Sequence, residues 1–129
     1  MEIVIVGLGL IGGSIAKALK LNTPHRVLGM DISDDTLLDA CSCGAIDGKA
    51  TPSDLEKADL VYLSIYPEDI LDFVRRYGNR LKPGCILTDA CGIKGEICAA
   101  MEELSQGAAY QALFRKTVQS AQFPGPPAE

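Results

Sequence analysis

Three glycines carry the first chemical signal in this chain: Gly7, Gly9 and Gly12, in the run Gly7-Leu8-Gly9-Leu10-Ile11-Gly12. Their spacing suits a backbone that must hold a pyrophosphate. Gly7 permits a tight strand-to-helix turn, Gly9 removes the Cβ that would keep the anion at a distance, and Gly12 lets the following helix pack closely on the preceding strand. The anion then meets free N–H groups and the positive dipole end of a helix N-terminus. An acid completes the pattern. Asp31 stands about 20 residues beyond the glycines, where a carboxylate reaches the adenosine ribose hydroxyls and repels a 2′-phosphate. The expected cofactor is therefore NAD rather than NADP. The competing use of Asp31 is as a helix cap, a position that Ser33 or Asp34 fills better.

Such a turn needs a buried strand before it and an amphipathic helix after it. Ile3-Val4-Ile5-Val6 reads as a strand buried on both faces. Ile11, Ile15 and Leu19 then recur on one helical face, Lys17 and Lys20 sit toward the C-terminal end, and Asn22-Thr23-Pro24 stops the helix. A second strand, Arg26-Val27-Leu28-Gly29-Met30, delivers Asp31. A helix over 35–43 ends at Gly44, and residues 45–48 turn toward a short edge element. Ser53-Asp54-Leu55-Glu56 reads as a helical turn with Ser53 at the N-cap and Glu56 in the capping-box position.

Leu60-Val61-Tyr62-Leu63-Ser64-Ile65 is a third strand, and Tyr66-Pro67-Glu68-Asp69 starts a helix that breaks at Gly78-Asn79. Lys82-Pro83-Gly84 turns into a fourth strand, Cys85-Ile86-Leu87-Thr88-Asp89, and a helix over 94–104 follows. The alternation predicts an α/β fold, a doubly wound parallel sheet of the Rossmann NAD(P)-binding type. Ligands of such sheets lie beyond the carboxyl ends of the strands, where the strand order reverses. The glycine loop, Asp31, the loop of Ser64, Ile65, Tyr66 and Pro67, and the segment after Asp89 should therefore line one crevice.

Composition narrows the partners. A net charge of -5 and the lack of a Lys/Arg stripe argue against nucleic acid or an anionic membrane surface. No apolar run spans a bilayer and the first strand leaves no room for a signal peptide, so the expected compartment is the cytoplasm. Five cysteines without a CxxC pair indicate neither a disulfide framework nor a metal site. His25, the only histidine, reads as a loop residue.

Residues 1–104 resemble a known family. Gly7-Leu8-Gly9-Leu10-Ile11-Gly12-Gly13-Ser14, the strand and loop through Ser64-Ile65-Tyr66-Pro67, and Leu81-Lys82-Pro83-Gly84 leading to Thr88-Asp89-Ala90-Cys91-Gly92-Ile93-Lys94 are similar to the nucleotide-binding half of prephenate dehydrogenases, arogenate dehydrogenases included. The resemblance implies an NAD-dependent oxidoreductase of tyrosine biosynthesis. Its reaction is an oxidative decarboxylation: hydride passes to NAD from the carbon bearing the hydroxyl, and loss of CO2 makes the ring aromatic. The small-molecule substrate would be prephenate, giving 4-hydroxyphenylpyruvate, or arogenate, giving tyrosine. Cofactor contacts carry over to Gly7, Leu8, Gly9, Leu10, Ile11, Gly12 and Asp31, to Ser64, Ile65, Tyr66 and Pro67 along the cofactor, and to Thr88 and Asp89 near the nicotinamide. Lys94 carries over as the catalytic candidate. It also stands out as a cation in the first turn of a helix, against the dipole, although a solvated surface lysine is the alternative.

The chain departs from the family in three ways. Gly92 stands where the family often has a serine, and no histidine follows His25, whereas the family places its acid/base histidine in a His-Pro-Met-like motif further on. The helical dimerisation domain, which supplies arginines for the substrate carboxylates, has no counterpart in these residues. The expectation is a Rossmann domain over 1–104, then an atypical, partly irregular tail over 105–129, and no activity by this chain alone. In the tail, 109–118 fits a strand or a helix, with Tyr110, Leu113, Phe114 and Val118 favouring helix slightly, and Arg115 and Lys116 read as a solvated pair, the alternative being a substitute for the missing substrate cations. Apolar surface left uncovered allows a homodimer through a non-family interface. Two further readings stand beside this one: a non-catalytic NAD(H)-binding module, and a different Rossmann dehydrogenase of small acids or imines.

Overall fold

The computed structural model describes residues 1–89 and 95–113. In chain order they form β1 (Glu2–Val6), α1 (Leu10–Asn22), β2 (Arg26–Met30), α2 (Asp34–Ser42), β3 (Gly48–Lys49), α3 (Pro52–Leu55), β4 (Leu60–Leu63), α4 (Pro67–Tyr77), β5 (Ile86–Asp89), α5 (Gly95–Ser105) and β6 (Gln111–Leu113). The strands make one sheet in the order β3-β2-β1-β4-β5-β6. Every pair is parallel, with Ile5 opposite Gly29 and Val6 opposite Leu63. This is the Rossmann order, and it reverses between β1 and β4.

Alternation along β1 divides the core into two layers. Ile3 and Ile5 pack with Ala16 of α1, Leu37 and Ala40 of α2, and Ile46. Val4 and Val6 face the other way, onto Ile70, Phe73 and Val74 of α4 and Met101 of α5. A strand buried on both sides has to be apolar throughout, which is why it reads as a continuous run.

At the amino ends of the strands, carboxylates staple the sheet. Asp59 accepts from the Glu2 N–H (2.7 Å) and pairs with Lys82. Asp47 accepts from the Val27 N–H and the Lys20 ammonium, at 2.8 and 2.9 Å. Lys82 at Asp59 and Lys20 at Asp47, with those backbone donors, hold both carboxyls below their ordinary range.

Three expectations need correction. The core face of α1 is Gly12, Ile15, Ala16 and Leu19, while Ile11 stays 50 % exposed and turns toward the crevice. The N-cap of α3 is Thr51 rather than Ser53. Pro52 at the first helical position fixes the entry, and Asp54 rather than Glu56 reaches back to accept from the Thr51 N–H and hydroxyl at 2.7 and 2.9 Å.

The third lies in the tail, where 111–113 forms a strand, the less favoured of the two readings of that segment. The Gln111 N–H donates to the Cys85 carbonyl at 2.7 Å, and Thr88 Oγ1 donates to the Leu113 carbonyl at 2.6 Å. Tyr110 is buried in the core with its hydroxyl 3.2 Å from Ser105 Oγ. Open backbone groups on the edge of β5 outweigh a weak helical spacing. Phe114, Arg115, Lys116 and Val118 lie outside the described residues.

Among the described residues no helix is long and apolar enough to cross a membrane, and no three His, Cys, Asp or Glu side chains converge as metal ligands.

Candidate functional site

A crevice of about 850 Å³ opens where the strand order reverses, beyond the carboxyl ends of β2, β1 and β4. The glycine turn forms its floor. Gly7 takes φ +90°, and a Cβ there would stand 2.2 Å from the Ser64 carbonyl oxygen. A Cβ on Gly12 would stand 1.8 Å from the Gly7 carbonyl oxygen and 3.2 Å from Ser64 Cβ. Both glycines are thus set by the close approach of α1 and the β4 loop, as well as by the turn. Gly9 differs, because a Cβ there would meet nothing within 4 Å. It is the N-cap of α1 and it lines the crevice.

Of the helices that begin at this edge, α1, α2 and α4 follow the three strands around the crevice, and their charges distinguish them. The first turn of α2 carries Asp34 and Asp35, and that of α4 carries Glu68 and Asp69. That of α1 carries no acid. Its first N–H groups have no intrahelical acceptor, so α1 offers the unopposed anion site.

Asp31 stands on the rim at the end of β2. Its Oδ2 accepts from the Leu8 N–H (2.8 Å) and its Oδ1 from the Ser33 N–H (2.9 Å). The helix cap is Ser33, whose Oγ accepts from the Thr36 N–H at 3.2 Å. Both of Asp31's partners are neutral amides. Each oxygen keeps acceptor capacity toward the crevice.

Of the residues singled out in the sequence, the structure gathers Gly7, Gly9, Ile11, Asp31, Ser64, Ile65, Tyr66 and Pro67 around the crevice. Leu8 is buried beneath it, Gly12 is packed behind it, and Leu10 stands 89 % exposed at the start of α1. Thr88 and Asp89 end β5 and do not line it. Lys94 lies outside the described residues. His25 sits next to Arg26 at the amino end of β2, with Nδ1 3.2 Å from the N-terminal amine, on the opposite edge of the sheet.

Sequence reasoning missed the second wall. One face of α4, Asp69, Asp72, Phe73, Arg76 and Tyr77, looks into the crevice across from Met30, Ile32, Lys49 and Ala50. The signal was present as i, i+3, i+4, i+7, i+8 spacing, though the same spacing also describes a core face. The only helix in the crossover from β3 to β4 is the four-residue α3, so α4 is left facing open space.

The sequence profile of "Prephenate dehydrogenase, nucleotide-binding domain" matches residues 15–111, from within α1 to β6. The prephenate dehydrogenase of Bacillus subtilis is 34 % identical over 99 residues, which is 74 % of this chain and 27 % of that protein. Two solved structures align closely. Synechocystis arogenate dehydrogenase has a TM-score of 0.74 at 29 % identity over 84 % of this chain and 39 % of its own. Prephenate dehydrogenase from A. aeolicus, in complex with hydroxyphenyl propionate and NAD+, has a TM-score of 0.75 at 25 % identity over 87 % of this chain and 40 % of its own. This chain therefore spans well under half the length of the proteins it matches. With a reversed strand order around an open glycine turn and these relatives across most of its length, the chain belongs to the prephenate dehydrogenase family and corresponds to its nucleotide-binding domain.

Proposed function

We propose that this chain holds NAD for the oxidative decarboxylation of prephenate or arogenate in tyrosine biosynthesis. The observation that carries the reading is the open, acid-free N-terminus of α1 at Gly9, set beside the Asp31 carboxylate at the switch point. These residues fit a dinucleotide. Gly9 and the first N–H groups of α1 hold the pyrophosphate, Asp31 accepts from the adenosine ribose hydroxyls, and Ile65, Tyr66 and Pro67 lie along the cofactor. Bound NAD supplies the hydride acceptor.

Thr88 and Asp89, which end β5 outside the crevice lining, are proposed to lie near the nicotinamide on the family resemblance, and Thr88 ties that end to β6 by its bond to the Leu113 carbonyl. Lys94 is the proposed catalytic cation, on the family resemblance. The acid/base role has no candidate imidazole in these 129 residues, because His25 lies at the far edge of the sheet. Turnover is proposed to require a further polypeptide segment, from a second domain or a second copy. Exposed Leu10 and Tyr66 beside the crevice mouth suit such a cover. The exposed free thiols of Cys41 and Cys43 suit a reducing cytoplasm.

Calorimetric titration of the chain with NAD and with NADP, repeated on Asp31→Ala, tests the reading. The expected result is preferential NAD binding that weakens in the variant, without prephenate turnover. Binding of neither cofactor refutes it.

A further inference from the structure

Leu8 does not line the crevice, yet both its side chain and its amide are held. Its side chain is buried in the layer under α1 and α2. There it enters a notch over Gly29 of β2: a Cβ at Gly29 would stand 2.6 Å from Leu8 Cδ1 and 3.0 Å from Ile46 Cδ1. Its N–H donates to Asp31 Oδ2 at 2.8 Å. Asp31 is itself fixed, because Oδ1 accepts from the Ser33 N–H and Ser33 caps α2. One residue further on, Gly9 starts the anion site.

We propose that Gly29 and Asp31 are positioning residues for the phosphate-binding turn, acting through Leu8: Gly29 provides the notch for its side chain and Asp31 the latch on its amide. The inference rests on the NAD reading and deepens it. Asp31 then serves the pyrophosphate as well as the ribose, and Gly29 serves the cofactor without touching it. Replacing Asp31 to admit a 2′-phosphate loosens the turn that must hold the rest of the dinucleotide. Asn is a poor substitute, since its amide oxygen satisfies one of the two N–H donors and its NH2 confronts the other.

The test uses the whole chain and two ligands, NAD and its analogue lacking both adenosine ribose hydroxyls, titrated against wild type, Asp31→Ala and Gly29→Ala. Exchange of the Leu8 amide hydrogen is followed in parallel. If Asp31 acts only on the ribose, its removal leaves the analogue's affinity unchanged. The latch instead predicts that Asp31→Ala still weakens the analogue by about tenfold, the scale of one hydrogen bond to a charged group. Gly29→Ala should weaken both ligands, by less than Asp31→Ala because its methyl meets the ends of the Leu8 and Ile46 side chains, and Leu8 exchange should accelerate in both variants. Leu81→Ala, buried on the opposite layer, controls for general destabilisation and should leave affinity unchanged. Unaltered analogue binding in Asp31→Ala, or unaltered Leu8 exchange, overturns the proposal. A wild-type chain that binds no NAD overturns the nucleotide reading, and with it the role of the notch and latch in binding. Loss of Leu8 protection in Asp31→Ala would then still establish the latch as structure.

Discussion

Gly12→Ala and Gly13→Ala differ by one position in the same helix and should move stability in opposite directions. The Gly12 methyl would lie 1.8 Å from the Gly7 carbonyl oxygen, with Ser64 Cβ at 3.2 Å on the other side. Neither is the end of a flexible side chain. Relief requires moving the backbone of α1 or of the turn by more than an ångström, and overpacking of this kind costs about 1–3 kcal/mol. Higher helix propensity returns at most about 1 kcal/mol, so Gly12→Ala should lose up to about 2 kcal/mol net. The Gly13 methyl meets only the Leu8 carbonyl oxygen, at an ordinary 3.4 Å. That variant keeps the propensity gain and should be more stable by up to about 1 kcal/mol. Urea denaturation of the three proteins, with midpoints compared at equal slope, reads the difference. Equal midpoints for the two variants, or a stabilised Gly12→Ala, would refute the close approach of α1 to the turn.

Gly9→Ala should leave the midpoint within about 0.5 kcal/mol of wild type, because its Cβ enters open space; calorimetry should show NAD affinity falling at least severalfold, and unchanged affinity would place the pyrophosphate elsewhere. Cys85 is buried, and burial pushes its thiol up to about 11. At pH 8 that leaves about one thiolate in a thousand, so mass spectrometry of alkylated native protein should find Cys41 and Cys43 modified and Cys85 spared until urea is added. Asp47 and Asp59 have depressed folded values, so their stabilisation is complete above the unfolded carboxylate range and lost as pH falls through the folded values. The thermal midpoint of Lys82→Met should therefore lie below wild type at pH 6 and converge with it near pH 2; a gap that persists in acid would show that Lys82 acts by packing rather than charge.

The elements that pay out their pattern locally were legible. β1 is an unbroken apolar run because both its faces are covered, and β2 ends at Met30 with Asp31 as the next residue, so strand, glycines and acid could be placed by spacing alone. Longer-range choices were not. Thr51 wins the cap of α3 from Ser53 through Pro52 and a reach-back from Asp54, a contest between neighbours of similar propensity. The three residues of β6 become a strand because β5 offers an open edge, which nothing in their own sequence reports. The crevice wall from α4 is legible only once α3 is known to be four residues long. Lys94, the one catalytic candidate, falls outside the described residues.

The distribution of charge explains why one end of the sheet is fit for binding and the other for holding the fold together. At the amino ends, Asp47 is paired with Lys20, Asp59 with Lys82 and Glu2 with Arg26, so acids there are neutralised by cations and spent on tethering. Asp31 at the carboxyl end is bonded instead to two neutral amides. Nearby Lys49 is drawn 3.8 Å from Asp34. A carboxylate oriented by N–H donors is held in place without a cation beside it. A 2′-phosphate placed within a few ångströms of it would be repelled, by up to about 3 kcal/mol per unit charge at an effective dielectric of about 20 before salt screening, which is the direction that the proposed preference for NAD requires. The bonds that latch the glycine turn are thus made by backbone amides, with no cation among them. A paired lysine would fix its position equally well and would offset the charge on which the proposed preference for NAD over NADP rests.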